Sequence, residues 1–137
     1  MTDAHVRVRV AGDEYALAVG DVVEVDRQAE VTPVPGARPE IVGIRNVHGQ
    51  LVPVVDLAAL VQVEPDADPG WIVVVANGER RAALSVGSVV EVGPVPPPTE
   101  GMRTAYLRGE AIVGSEPVHV VDVPALLDAL AGGGGRP

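Results

Sequence analysis

Apolar and polar residues alternate in short runs along most of this chain, and turns rich in glycine or proline separate the runs. His5-Val6-Arg7-Val8-Arg9-Val10 alternates strictly, which predicts a strand with one wet face. After a turn at Gly12-Asp13, Glu14 to Val19 alternates again, with Tyr15, Leu17 and Val19 on one side. Gly20 to Val25 carries Val22-Val23-Glu24-Val25, a pattern that suits either a short helical turn or a strand. Residues 32–39 read as a rigid loop, because Pro33, Pro35 and Pro39 lack the amide a ladder needs. Ile41 to Val47 and Gln50 to Val55 predict a hairpin turning at His48-Gly49, and Leu57 to Val61 one helical turn.

The second part of the chain follows the same order. Glu64 to Gly70 is an acidic, proline-containing linker. Trp71 to Ala76 and Arg80 to Val86 flank Asn77-Gly78, which predicts a hairpin with a type I′ turn centred on that dipeptide. Ser85 to Val92 carries a second Val-Val-Glu-Val, and a second proline loop follows at residues 94–98. Thr104 to Leu107, Glu110 to Val113 and Val118 to Val121 read as strands, and Val123 to Leu130 as a short helix. Residues 132–137 read as a flexible tail.

Two signatures recur at nearly one spacing. Val54-Val55-Asp56-Leu57 is matched by Val120-Val121-Asp122-Val123, at 122 − 56 = 66 positions. Val22-Val23-Glu24-Val25 is matched by Val89-Val90-Glu91-Val92, at 91 − 24 = 67. Signatures in the same order at one offset predict a duplicated unit. The expected organisation is a single domain over residues 1–131, with halves of about 14–64 and 71–130 and an N-terminal strand free to join either.

Composition sharpens this picture. At 137 residues the chain is long enough for one domain with a sizeable core. Much of its apolar content is valine, whose branched Cβ fits a pleated strand better than a helix. With 16 glycines and 13 prolines to punctuate it, an all-β barrel or sandwich is predicted. Phenylalanine is absent, so the core must be aliphatic. The formal net charge of −9 disfavours nucleic acid and anionic membrane as partners. The absence of cysteine removes disulfide and thiolate chemistry. The N-terminus has no apolar core of a signal peptide, and the run Trp71 to Ala76 is far too short to span a bilayer, so a cytoplasmic location without membrane insertion is expected.

The candidate chemistry is sparse. Asp56 and Asp122 form a symmetric carboxylate pair, as two aspartates sharing a proton would. Each precedes a helical segment, however, where an aspartate caps free amides, and Pro124 fits a first helical turn. His5, His48 and His119 are far apart and lack ligands at metal spacing, and His119 reads as an outward-facing strand residue. There is no lysine, no phosphate loop and no nucleophile elbow, so neither an enzyme nor a cofactor is indicated. Glu91 reads as a solvent-facing edge residue. Glu24 reads either the same way or as a charge on the rim of an apolar binding surface with Val22 and Val25.

The run Gly43-Ile44-Arg45-Asn46-Val47-His48-Gly49-Gln50-Leu51-Val52-Pro53-Val54-Val55-Asp56-Leu57 resembles the hallmark of the CheW-like chemotaxis coupling proteins, Gly-Val-x-Asn-Leu-Arg-Gly-x-x-x-Pro-Val-x-Asp-Leu. Glu14 to Val19, Val22 to Val25, residues 33–37 and Leu84 to Val89 resemble further elements of that family in the right order. The resemblance implies two intertwined, SH3-like five-stranded barrels on a shared core. It also implies a non-enzymatic adaptor between the regulatory domain of a CheA-type histidine kinase and the cytoplasmic tip of a methyl-accepting chemoreceptor. Carried over by position, the protein-binding residues are Val22, Glu24, Val25, Asn46, His48 and Gly49. Two positions depart from the family: His48 stands where it has arginine, and Gly87 where it usually has aspartate. Arg45 joins the set as a nearby cation, on the strand face opposite His48 if pairing is regular. The His48 departure also admits a divergent module that regulates a kinase without binding receptors.

Overall fold

Valine-rich alternation folds into strands here because each strand buries one face in a barrel or the shared core, and the strands Trp71–Asn77 and Arg80–Val86 bury both. The computed structural model describes residues 3–28, 30–64, 69–99, 101 and 104–132. Among these, ten strands form: β1 (Asp3–Val10), β2 (Asp13–Ala18), β3 (Val22–Arg27), β4 (Ile41–Val47), β5 (Gln50–Asp56), β6 (Trp71–Asn77), β7 (Arg80–Val86), β8 (Ser88–Val95), β9 (Leu107–Val113) and β10 (Glu116–Val121). Helix α1 (Leu57–Leu60) follows β5 and helix α2 (Val123–Gly132) follows β10. The strands make two five-stranded sheets, ordered β8-β1-β2-β10-β9 and β3-β6-β7-β5-β4.

The two sheets have the same plan. Replacing β1, β2, β8, β9 and β10 by β6, β7, β3, β4 and β5 turns the first order into the second. Each sheet therefore takes two strands from one part of the chain and three from the other. The correspondence reaches single residues. In the hairpin β4–β5, Ile41 faces Val55 and Gly43 faces Val54, so Val42 is an extra residue. In β9–β10, Leu107 faces Val121 and Gly109 faces Val120, and Arg108 is the extra residue. The Val-Val-Glu-Val segments likewise sit on matching bulges, at Val23 in β3 and Val90 in β8. A bulge bends a strand and raises its twist, which helps a short sheet curl into a barrel.

Three apolar clusters hold the assembly. Ala16, Val95, Ala111, Val118 and Val120 fill the first barrel, and Val47, Val52, Val54, Ile72, Val74 and Ala83 the second. The largest cluster lies between them and combines Val6, Val8, Val10, Tyr15 and Leu17 with Val55, Val73, Val75, Leu84, Val86 and both helices. β6 illustrates the economy of the design: Ile72 and Val74 point into the second barrel while Val73 and Val75 point into the shared core. This is why Trp71 to Ala76 is a continuous apolar run. The aliphatic character is as expected, with Tyr15 the one fully buried aromatic among the described residues.

Several local expectations need correction. Val19 leaves the β2 pattern: it opens a 3-10 turn, Val19–Asp21, and is exposed. The ambiguous Gly20 to Val25 is thus divided between that turn and β3. The β6–β7 pairing runs to Asn77 opposite Arg80, leaving Gly78-Glu79 as the loop. Only Gly78 has positive φ (65°), the pattern of a type II′ turn rather than I′. The β1–β2 turn similarly lies one residue early, on Ala11 and Gly12, with φ 54° and 89°. Ser85 closes within β7, and β8 starts at Ser88. Residues 104–106 are not a strand; β9 begins at Leu107. His119 does not face out freely: it is half-buried and stacks on Tyr15 with ring centroids 4.9 Å apart. The predicted linker lies partly, at 65–68, and the predicted tail mostly, at 133–137, outside the described residues.

Candidate protein-binding site at the seam of the second barrel

β3 and β4 are the two ends of the second sheet, so the barrel closes only if they are brought together. Beyond β3, Thr32 does this through the backbone: its amide bonds the Ile44 carbonyl (2.9 Å) and its carbonyl accepts from the Ile44 amide (2.8 Å). Gly43 makes the approach possible, since a Cβ there would lie 2.3 Å from the Thr32 carbonyl oxygen. Thus the glycine that opens the long motif is needed for space rather than for a special φ.

Side chains add two further rungs across the same seam. The Arg45 guanidinium donates to Asp26 Oδ2 at 3.2 Å and to the Arg27 carbonyl at 3.2 Å. His48 Nε2 lies 2.6 Å from Glu24 Oε1. Glu24 is largely sheltered, at 28% side-chain exposure, whereas His48 is 73% exposed. The His48-Gly49 turn is as expected: both residues have positive φ, 51° and 87°. Histidine is among the non-glycine residues that tolerate this region. Asn46 holds the turn, its side-chain oxygen accepting from the Gly49 amide at 2.9 Å.

The seven residues singled out from sequence therefore separate by role. Glu24, Arg45 and His48 converge on the seam. Asn46 and Gly49 build the turn that presents His48. Val25 is exposed on β3 beside the seam, as is Val23. Val22 is half-buried and packs against the shared core. The expectation that Arg45 and His48 lie on opposite faces does not hold, because the left-handed backbone at His48 breaks the alternation and both side chains reach β3. Asp26 was missed. The available signal was its place two residues after Glu24, which puts both carboxylates on one strand face.

The paired aspartates are engaged in helix caps. Asp56 Oδ1 accepts from the Ala58 amide at 3.0 Å, and Asp122 Oδ1 from the Ala125 amide at 3.1 Å. Their own amides donate to the carbonyls of Glu40 (2.9 Å) and Tyr106 (2.7 Å), another matched pair. Among the described residues no group of three or more His, Cys, Asp or Glu could hold a metal ion, and no helix is long and apolar enough to cross a membrane.

The family model described as a CheW-like domain matches residues 4–131. The chain belongs to the CheW-like family. It is similar to a chemotaxis protein CheW of Klebsiella aerogenes, 27% identical across 88% of this chain and 78% of that one. It is also similar to protein PilI of Pseudomonas aeruginosa, 27% identical across 74% of this chain and 62% of that one. Among solved structures, the scaffolding protein TtCheW of Thermoanaerobacter tengcongensis superposes with a TM-score of 0.83 at 26% identity, covering 99% of this chain and 97% of the other. The CheW-like assignment agrees with the two SH3-like barrels seen here and with membership in a family of scaffold proteins. Within that fold, the Gly43 to Leu57 run supplies most of β4, the His48 turn, β5 and the α1 cap.

Proposed function

We propose that this protein is a cytoplasmic, non-enzymatic adaptor that couples chemoreceptor tips to a CheA-type histidine kinase. The observation that carries the reading is the CheW-like match across nearly the whole chain, together with a long motif whose every element has a structural place. The receptor side is the surface around Glu24, Val25 and His48, where exposed valines border a carboxylate. An amphipathic receptor helix would lay its apolar stripe there, in the helix-in-groove mode. The kinase's own CheW-like regulatory domain is the second partner. Residues 1–131 act together as one domain in this role.

The test is a binding measurement with the organism's CheA-type regulatory domain and receptor tip, each purified. Binding to both, with the receptor interaction weakened by Glu24→Ala, is the expected result. Failure to bind either partner would sink the idea.

A second reading has one observation of its own. His48 is hydrogen-bonded to Glu24, so each side chain already occupies the other, and the similarity to PilI points beyond relatives named for chemotaxis. Under it the protein regulates a kinase alone, and the same measurement would show kinase binding with no receptor binding.

A further inference from the structure

The two barrels repeat each other in strand order, in bulges and in backbone closure, since the Thr99 amide also bonds the Glu110 carbonyl at 3.0 Å. They differ at their seams. The positions matching Asp26, Arg45 and His48 are Gly93, Ala111 and Gly114, none of which can form a side-chain ion pair. Glu91, the match of Glu24, turns along its own sheet to Arg7 at 2.9 Å. The second barrel's seam thus carries two polar rungs that the matching positions of the first barrel do not form. The backbone bond that closes each barrel is common to both, so these side-chain rungs are additions to it in the second.

We propose that Arg45 is a positioning residue: by tying Asp26 and the Arg27 carbonyl to β4, it fixes β3 so that Glu24 meets His48. The rung suits this task. Arg45 is largely buried along its length and offers a rigid fork, and it uses one arm on a carboxylate and the other on the backbone. A bond to the Arg27 carbonyl holds the main chain of β3 and not merely a side chain. Glu24 lies on the same strand face as Asp26, two residues away, and so moves with it. His48 is held from the other side by the Asn46-capped turn. Neither Asp26 nor Arg45 is in contact with His48 in any described bond, so their effect on it passes through the placement of β3.

The proposal rests on the adaptor reading only for what the placed Glu24 is used for. Its primary test is therefore independent of partners. Nitrogen-15 imidazole spectra of the whole protein report the His48–Glu24 bond, with His48 assigned through His48→Asn and the bond-free signal defined by Glu24→Ala. Arg45→Ala is expected to leave the fold intact by circular dichroism yet move the His48 signal toward that of Glu24→Ala. Asp26→Asn, which keeps an acceptor oxygen in place, should hold the signal near wild type, whereas Asp26→Ala should move it. Receptor-tip affinity should fall about tenfold in Arg45→Ala, with kinase-domain affinity unchanged within about twofold, as coupling of this kind allows. An unmoved His48 signal in folded Arg45→Ala overturns the proposal. Wild-type protein that binds neither partner, with the His48 signal moving as stated, overturns the adaptor reading and leaves the positioning role standing.

Discussion

Tyr15 shows what a single buried side chain imposes. It is the large aromatic of an otherwise aliphatic shared core, flanked by His119. Burial raises its phenol above the ordinary tyrosine value, and the nearby Asp13 carboxylate adds to the shift. The folded protein therefore holds this proton more tightly than the unfolded chain does. Its stabilising contribution is complete below about pH 10, the unfolded value, and is lost as pH rises from there through the folded value. Denaturant titrations between about pH 8 and pH 11 check this against the reference tyrosine value: wild type should lose stability above pH 10, and Tyr15→Phe should lose less. At this scale sequence reasoning located Glu24 and His48 but could not pair them. They are far apart in sequence, and the bond depends on a barrel closing.

Strands were legible wherever a run had one clear apolar face. β1 emerges from alternation to within two residues, and the hairpin strands β4 and β5 match their predicted runs to within one. The boundaries that differ share a cause. Turn positions are set by the register of the strands they join, and register follows from which valines fill which barrel, information no local window holds. The 3-10 turn after β2 and the late start of β9 are of the same kind. Helix α1, only Leu57–Leu60, is too short to be stable by itself, so its cap and its burial define it. Asp56→Ala should cost about 1 kcal/mol, and Asp56→Asn, which restores a capping oxygen, much less. Thermal melting separates the two, with the alanine variant expected to fall by roughly 3–5 °C for a protein of this size. A catalytic aspartate would instead make Asp56→Asn as damaging to activity as Asp56→Ala, since both remove the carboxylate while only asparagine keeps a capping oxygen.

For the whole molecule, the repeat read in the sequence and the barrels seen in the structure are different divisions of the chain. Each sheet borrows strands across the repeat, through the parallel pairs β2–β10 and β5–β7. Residues 3–64 and 69–132, made as separate fragments, should each be unfolded and should recover sheet structure when mixed. Circular dichroism of each fragment and of the mixture tests this, and a fragment that folds alone would contradict it. The fragments' association would depend on concentration, whereas in the intact chain the partner half is always present.

That covalent tie has a further consequence. Two separate copies of one half, joined with strands exchanged, would be bound by two-fold symmetry to carry identical seams. Placed on a single chain, the copies are free to drift apart. One seam keeps Glu24, Asp26, Arg45 and His48, while the first barrel exposes Ile112 (48%) where the second has Asn46. The molecule has thereby acquired a front and a back, and a connector with two unlike ends can stand between two unlike neighbours in only one orientation.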